Sequence, residues 1–111
     1  MEEREEIDEL RVRLLGALAD PTRLEILRCL KDGERCVCEI LPESGKAQST
    51  TSKHLAILHN AEILKRRIEG VKTLYSIKRP EVFVILKEVD KLILEEAKDM
   101  KRRIKIMEVT T

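Results

Sequence analysis

The sequence predicts a mainly α-helical fold with one β-hairpin, and two observations support this prediction. In four segments the apolar residues recur at steps of three and four, which is the spacing of amphipathic helices. Residues 64–78 instead carry two β-prone runs around a Glu-Gly-Val-Lys sequence, which is typical of a hairpin with a glycine turn. The predicted order is helix, helix, short helix, turn, helix, hairpin and long helix.

The first two predicted helices are separated by Asp20-Pro21-Thr22. Proline is tolerated in the first turn of a helix, so a second helix is expected to follow at once and to end at Gly33. The apolar stripe of the first helix consists of Ile7, Leu10, Leu14 and Leu18.

A short third helix is predicted from about Cys36 to Leu41, because Pro42 lacks the N–H that a helix interior needs. A turn is expected at Ser44-Gly45. The fourth helix then follows, and its predicted inward stripe consists of Thr51, Leu55, Leu58 and Ala61.

The last helix is predicted from Pro80 onward and is long for a globular domain. Its apolar residues keep a coiled-coil-like spacing, and such a seam normally meets a partner helix. The seam consists of Val82, Leu86, Val89, Ile93, Ala97, Met100, Ile104 and Met107.

The order of the predicted elements indicates the fold. Two helices joined by a turn, with a hairpin beside them, predict a winged helix-turn-helix in a single domain over residues 1–111.

The net charge of +1 conceals an uneven distribution. Residues 1–45 sum to −5, residues 46–79 to +6 with eight Lys or Arg against two Asp or Glu, and residues 80–111 to zero. The basic segment coincides with the predicted turn, fourth helix and hairpin, which favours a nucleic-acid partner. Tyr75 and Phe83 are the only aromatic residues, so a platform for stacking single-stranded bases is not favoured.

The fourth helix and the hairpin supply the predicted DNA-binding residues. Hydroxyl, amide and ammonium groups on the outward face of the helix suit phosphates and base edges, and hairpin cations suit the backbone or the minor groove. The helix residues are Gln48, Ser49, Thr50, Ser52, Lys53 and His54, and the hairpin residues are Arg66, Arg67 and Lys72, with Lys65 beside them. His54 falls toward the core boundary, where it is expected to buttress the helix. The alternative for each of these residues is that it lies on a solvent-exposed face and has no role in DNA binding.

Several bulk features narrow the class of protein. No apolar run is long enough for a membrane helix and the first ten residues are acidic, so we expect a cytoplasmic protein without a membrane partner.

Three cysteines do not suggest a disulfide framework, and reduced thiols are expected. The high charge content with one Asn and one Gln is thermophile-like. No acid–base pair, activated nucleophile or phosphate loop indicates an enzyme, and no cofactor is required.

Four stretches of the chain resemble the ArsR/SmtB winged-helix repressors. They are LGALADPTRLEIL, GERCVCEI, QSTTSKHLAIL and RRIEGVKTLYSI. The resemblance implies a homodimer built mainly from the first and last helices, with Leu10, Leu14, Leu86, Val89, Ile93 and Met100 as its dimerisation residues. It also implies binding to double-stranded operator DNA through the fourth helix and the wing, and release when a ligand binds.

Cys36-Val37-Cys38 resembles the effector site of the arsenic-sensing members, which implies As(III), Sb(III) or another soft metal ion as inducer. In a regular helix two residues two positions apart point to nearly opposite sides, so joint binding requires the pair to lie at the start of the helix. Those sensors often carry a further thiol where this chain has Leu41. Cys29 is the only candidate for a third ligand, although its position beside Leu30 favours packing.

Three interpretations of the cysteine pair remain open: metalloid binding, redox sensing through a disulfide or sulfenic acid, and inert thiols. For the whole chain, the preferred function is a dimeric repressor that binds a palindromic operator. The alternative from a different class is a protein-interaction module that uses the long last helix.

Overall fold

The computed structural model describes residues 2–44 and 47–110. Two compact units are present, Met1–Arg79 and Pro80–Thr111. The first unit contains α1 (Glu2–Leu18), α2 (Pro21–Leu30), β1 (Arg35–Cys36), α3 (Val37–Ser44), α4 (Gln48–Asn60), β2 (Leu64–Glu69) and β3 (Lys72–Ile77), and the second contains α5 (Val82–Thr110). The prediction of a mainly helical winged helix-turn-helix is confirmed.

The start of α2 follows from its sequence. The Asp20 carboxylate accepts a hydrogen bond from the Arg23 backbone N–H at 3.1 Å, which caps the helix, and Pro21 occupies its first turn. The helix ends at Leu30, and Gly33 follows with φ +147° while its N–H donates to the Leu30 carbonyl. Glycine suits this backbone conformation because it has no Cβ.

The predicted hairpin is present and is part of a three-stranded antiparallel sheet in the order β1-β3-β2. Glu69 pairs with Lys72 across a two-residue loop, and Gly70 adopts φ +61° in that loop. The third strand, β1, pairs Arg35 with Tyr75 and Cys36 with Leu74. The amino-acid pattern does not predict β1, because a strand of two residues is too short to show a period.

The core of the first unit joins the helices to the sheet. The predicted inward stripe of α4 is buried: Thr51, Leu55 and Leu58 are 0% exposed and Ala61 is 9% exposed. These residues share the core with fully buried side chains of α2, α3 and the start of the hairpin, namely Ile26, Leu27, Leu30, Ile40, Ile63 and Leu64. The core therefore fixes which side of α4 is turned outward.

The third helix begins one residue after its expected start, and the expectation that it ends before Pro42 is wrong. The helix begins at Val37 and leaves Cys36 in β1, and it continues through Pro42 to Ser44. Pro42 lies in the last turn of this eight-residue helix, so the hydrogen bond that proline cannot donate is lost only near the helix end. The predicted turn at Ser44-Gly45 includes Gly45, which lies outside the described residues.

The second unit is a single helix of 29 residues, α5, which begins close to its predicted start after Pro80. Val82 is buried, and six residues of the predicted seam are exposed: Val89, Ile93, Ala97, Met100, Ile104 and Met107. In the first unit, α1 also leaves Ile7 and Leu10 exposed on its stripe. Both helices thus present apolar side chains to their surroundings.

Candidate nucleic-acid interface

The outward side of α4 carries short hydrogen-bonding groups at its N-terminal half. Gln48, Ser49, Thr50, Ser52 and Lys53 are all exposed. Ala47 occupies the N-cap position without a side-chain hydrogen bond. The first N–H groups of α4 therefore receive no side-chain cap from this residue, and an unpaired helix N-terminus is suited to a phosphate oxygen.

The wing, which we define as β2, β3 and their loop, carries exposed cations at Lys65, Arg66, Arg67 and Lys72. Successive residues of a strand point to opposite faces, so Arg66 and Arg67 lie on different sides of the sheet. Arg66 pairs across the ladder with Tyr75 and Arg67 with Leu74. Cations are therefore presented on both faces of the wing.

Arg67 is held by carboxylates of its own chain. Its Nε and Nη2 donate to the two carboxylate oxygens of Glu34 at 2.9 and 2.7 Å, and its Nη1 lies 3.1 Å from Glu69. The hydrogen bond from Arg67 lowers the pKa of Glu34, and the same bond raises the pKa of Arg67. This bidentate pair ties the residue before β1 to β2.

His54 lies at the core boundary, as predicted, and contacts α2. The Arg23 Nη1 is 3.0 Å from the His54 Nδ1, and the Asp20 carboxylate is 3.7 Å from the same nitrogen. Arg23 also donates from Nε to the Ala17 carbonyl at 2.7 Å and from Nη2 to the Gly16 carbonyl at 3.2 Å. One guanidinium thus connects the end of α1 to the helix that carries the exposed donors.

Cys36 and Cys38 lie across the junction of β1 and α3, and the structure joins them in a disulfide where reduced thiols are expected from sequence. A strand residue followed by the first turn of a helix can turn both side chains to one side, which a continuous helix cannot do. Their Cα atoms are 5.3 Å apart, within the usual range for a disulfide. The side chain of Cys36 is buried, and Cys38 is exposed.

Cys36 and Glu39 form the N-terminal cap of α3. The Cys38 N–H donates to the Cys36 Sγ at 3.1 Å, and the Cys36 N–H donates to the Glu39 carboxylate at 3.2 Å. This reciprocal pattern resembles a capping box, with sulfur in place of the usual hydroxyl and the N–H of the second helix residue in place of the third. A chemical change at the Cys36 sulfur therefore alters how α3 begins.

A cavity of about 420 Å³ lies beside the cysteine pair, α4 and the wing. It is lined by Cys36 and Cys38 on one side, by Gln48 and Ser52 of α4 on another, and by wing residues that include Lys72 and Tyr75. An occupant of this cavity would touch the cysteine pair, α4 and the wing together.

A three-ligand metal site is not assembled within residues 2–44 and 47–110. No group of three or more His, Cys, Asp or Glu side chains there is arranged to hold a metal ion. Cys29, the suggested third ligand, is buried on α2 and does not take part in the disulfide. The structure therefore brings Cys36 and Cys38 together without Cys29.

The residues suggested for dimerisation lie on α1 and α5. Leu10, Val89, Ile93 and Met100 are exposed, whereas Leu14 and Leu86 are half-buried. Two further residues, Arg23 and Glu34, position α4 and the wing and are not predicted from the sequence. Asp20-Pro21 marks the start of α2 and could have drawn attention to Arg23, but no sequence signal pairs Glu34 with Arg67.

A core-packed helix with an exposed polar face, preceded by a shorter helix and followed by a β-hairpin, defines a winged helix-turn-helix protein. None of the helices in the described part of the chain combines the length and apolar character of a membrane span. The chain belongs to the ArsR family of bacterial regulatory proteins, whose family model matches residues 20–66. It is accordingly a transcriptional regulator and not an enzyme, as predicted.

Relatives and solved structures support this assignment. An uncharacterised HTH-type transcriptional regulator of Methanocaldococcus jannaschii is 46% identical over 80 residues, which cover 71% of this chain and 90% of that protein. The arsenical resistance operon repressor of Staphylococcus xylosus is 39% identical, over 58% of this chain and 62% of the repressor. A homodimeric winged helix-turn-helix DNA-binding domain of Mycobacterium bovis, described as a possible ArsR-family regulator, superposes with a TM-score of 0.76 at 28% identity, covering 86% and 92% of the two chains.

Proposed function

We propose that this protein is a cytoplasmic transcriptional repressor that binds a palindromic operator in double-stranded DNA as a homodimer. The observation that carries the proposal is the placement of exposed donors and cations. The buried stripe of α4 leaves its hydroxyl, amide and ammonium groups outward, and the exposed cations of the wing follow in the adjoining hairpin. This combination suits a helix in the major groove with a wing on the flanking backbone.

The two elements have different tasks in this proposal. Ser49, Thr50 and Ser52 bond to phosphates or base edges, while Lys53 and Gln48 reach a guanine, an adenine or a phosphate. His54 acts from behind α4 through its contact with Arg23. Arg66 and Lys72 supply wing contacts to the DNA backbone, and Arg67 does so to the extent that Glu34 and Glu69 release it.

Dimerisation is supported by the exposed apolar residues of α1 and α5, which a second copy would cover. The Mycobacterium bovis domain that this chain resembles is homodimeric. A two-fold dimer presents two copies of α4, and successive major grooves lie about 34 Å apart on one side of the duplex. The operator is therefore expected to be an inverted repeat with half-sites one helical turn apart.

The effector site of the proposed repressor is the pair Cys36 and Cys38 in its reduced form, which binds arsenite, antimonite or another thiophilic ion. Thiolates prefer such soft acceptors. The pair supplies two of the three bonds that trivalent arsenic forms. The support for this site is that the two sulfurs lie together at the cap of α3, a helix that contacts α4. Binding at the Cys36 sulfur would change this cap, displace α3 and weaken the operator contacts of α4.

A redox input is the second candidate, and the Cys36–Cys38 disulfide favours it. In this case oxidation and reduction of the pair, and not a bound metalloid, change the cap of α3. The two inputs make different predictions. A redox sensor responds to a disulfide-forming oxidant in the absence of arsenic, whereas a metalloid sensor responds to arsenite while its thiols stay reduced.

DNA binding is tested with a labelled fragment of the protein's own upstream region and a scrambled fragment of equal length. Fluorescence anisotropy over a series of salt concentrations should show a linear fall of log affinity with log salt, together with a preference for the upstream fragment. Equal affinity for both fragments would contradict the repressor function.

The effector is tested on the same complex, with protein reduced beforehand. Arsenite should release the DNA from the unaltered chain and from the Cys29→Ser control, but not from Cys36→Ser or Cys38→Ser. Release that persists in a variant lacking both Cys36 and Cys38 would exclude this site. Release by oxidant alone would select the redox input.

A further inference from the structure

The first helix is attached to the rest of the first unit mainly at one end. Of the residues of α1, all of which the structure describes, Ala17 and Leu18 are the only buried ones, and both lie at its C-terminal end. A helix of 17 residues is about 25 Å long, so most of α1 extends beyond these apolar contacts. Apolar contacts at a single end restrain the direction of a helix weakly, so a polar contact farther along α1 has a large effect on that direction.

Arg13 provides such a contact, and its partner is the C-terminal end of α4. The Arg13 Nη2 donates a hydrogen bond to the backbone carbonyl of Asn60, which is the last residue of α4. The Arg13 side chain is exposed and lies one helical turn before the buried Ala17. Arg13 therefore joins the helix proposed for dimerisation to the helix proposed for DNA reading.

The way in which α4 ends leaves the Asn60 carbonyl for this bond. The Ile63 N–H donates to the Leu58 carbonyl, and the Glu62 N–H donates to the His59 carbonyl. Glu62 adopts φ +63° between them, and these features together form a Schellman motif. Neither bond of the motif uses the Asn60 carbonyl. A guanidinium also suits this place because the C-terminal end of a helix carries the negative end of its dipole.

A second guanidinium holds the middle of α4 against the end of α1. Arg23 donates to the Gly16 and Ala17 carbonyls, and its Nη1 lies 3.0 Å from the His54 Nδ1. His54 and Asn60 are six residues apart in the sequence, which corresponds to about 9 Å along α4. Two contacts with this separation restrain the angle between α1 and α4, whereas one contact alone leaves a pivot.

The angle between these helices matters because the proposed dimer joins two copies through α1 and α5. Each α4 is then presented to the DNA at a distance and tilt that depend on its connection to α1. One base pair added between two half-sites moves them apart by about 3.4 Å and rotates them by about 34°. A rigid connection discriminates against such an operator, and a connection that pivots tolerates it.

We propose that Arg13 is a positioning residue that sets the half-site spacing of the operator by bracing the C-terminal end of α4 against α1. This inference rests on the proposed function, because it requires a dimer that binds an inverted repeat. Arg13 does not touch DNA in this role. The proposed DNA contacts of α4 lie in its N-terminal half, and the brace acts at the opposite end of the helix.

The test begins with DNase I footprinting, which locates the inverted repeat in the protein's upstream DNA. Duplexes are then prepared with the native spacing, with one base pair added, with one base pair removed, and with a single half-site. Fluorescence anisotropy measures the affinity for each duplex. The spacing preference is the ratio of the affinities for the native and the altered spacings, and the affinity for the single half-site reports on α4 itself.

Arg13→Gln should lower the spacing preference by a factor of roughly two to five, which is the contribution of one cation at a helix end, and should leave the single half-site affinity unchanged. Arg13→Lys keeps a cationic donor and should restore most of the preference. The matched control is Arg11→Gln. Arg11 is also exposed on α1, but it pairs with Asp8 of the same helix, so its loss removes the same charge without touching α4.

The outcomes distinguish this inference from the function on which it rests. An equal spacing preference in Arg13→Gln and Arg11→Gln would overturn the inference and leave the repressor function standing. An equal loss of affinity for every duplex, including the single half-site, would show that Arg13 supports α4 itself and not its position, which also overturns the inference. If the unaltered chain prefers no spacing, the proposed palindromic operator is wrong and the inference falls with it.

Discussion

Arg23 of α2 and His54 of α4 are in direct contact, with the guanidinium Nη1 3.0 Å from the imidazole Nδ1. Arginine can only donate, so the His54 Nδ1 accepts and the imidazole proton is assigned to Nε2. The same guanidinium donates to the carbonyls of Gly16 and Ala17 at the end of α1. The middle of the proposed DNA-reading helix is thus tied to α1 by a single side chain.

Replacing Arg23 should destabilise the fold. Arg23→Gln removes the guanidinium donor to the part-buried Ala17 carbonyl and to the His54 Nδ1, and leaving part-buried groups of this kind unsatisfied costs about 1–3 kcal/mol. Urea denaturation followed by circular dichroism measures the free energy of unfolding. The control is Arg28→Gln, whose exposed pair with Glu25 on the same helix should contribute at most about 1 kcal/mol. Equal losses in the two variants would contradict this role of Arg23.

The core stripe of α4 predicts a large difference between two nearby residues. Leu55 is 0% exposed and Ile57 is 37% exposed. Leu55→Ala should lower the free energy of unfolding by about 2–5 kcal/mol because it leaves a cavity in the core. Ile57→Ala, on the outward flank of the same helix, serves as the matched control and should cost much less. A larger loss for Ile57→Ala would mean that α4 is turned differently.

Acid should weaken the fold through Asp20. The backbone hydrogen bond from Arg23 is the main cause that lowers the pKa of Asp20 below its usual value of 3.8. A group whose pKa is lower in the folded state contributes stability above its unfolded pKa and loses it as pH falls through its folded pKa. The stability that ionised Asp20 contributes to the fold is therefore complete well above pH 3.8 and is lost as pH falls below that value. The loss of stability with acid is measured from urea denaturation midpoints at a series of pH values, for the unaltered chain and for Asp20→Asn.

Asp20→Asn keeps a side-chain oxygen that can cap α2 but cannot titrate. Its stability should consequently fall less steeply with acid than that of the unaltered chain. Glu34 and Glu62 also have lowered pKa values, mainly through hydrogen bonds to Arg67 and Lys78 that the substitution does not touch, so some acid dependence should remain in the variant. Parallel acid profiles for the two proteins would contradict the role of Asp20.

Features of the fold and the candidate site that depend on neighbouring residues could be predicted from the sequence, whereas contacts between residues far apart in the chain could not. The outward face of α4 and the Gly70 loop follow from local periodicity and turn chemistry, and both are as predicted. Glu34 and Arg67 are 33 residues apart, and only the pairing of β1 with β3 brings them together. The junction at Cys36 depends on the same two-residue strand, which has no period to detect.

The two wing arginines should differ in their contribution to DNA binding. Arg67 is already paired with Glu34 and Glu69, so binding of a phosphate must compete with those carboxylates. We expect Arg66→Gln to weaken binding to the upstream DNA more than Arg67→Gln does, and to reduce the salt slope by about one. Anisotropy titrations at several salt concentrations provide both quantities. A stronger effect of Arg67→Gln would show that its carboxylate partners release it on DNA.

Dimerisation should depend on the exposed seam of α5. Ile93 is 61% exposed in the single chain, and a partner helix would bury it. Ile93→Glu would place an unpaired charge in that interface and should shift the protein toward monomer in sedimentation equilibrium. Lys91→Glu, which also introduces an acid on this helix but replaces a charged residue, is the control. A dimer of unchanged affinity in Ile93→Glu would place the interface elsewhere.

The central claim is that α4 reads operator DNA, and Lys53 tests it most directly because it is exposed on the proposed surface. Affinity for the protein's own upstream DNA is measured by anisotropy for the unaltered chain, Lys53→Ala and Arg28→Ala, two variants that each remove one positive charge. We predict weaker binding and a salt slope reduced by about one for Lys53→Ala, with Arg28→Ala close to the unaltered chain. Equal affinities and slopes in all three proteins would contradict the account.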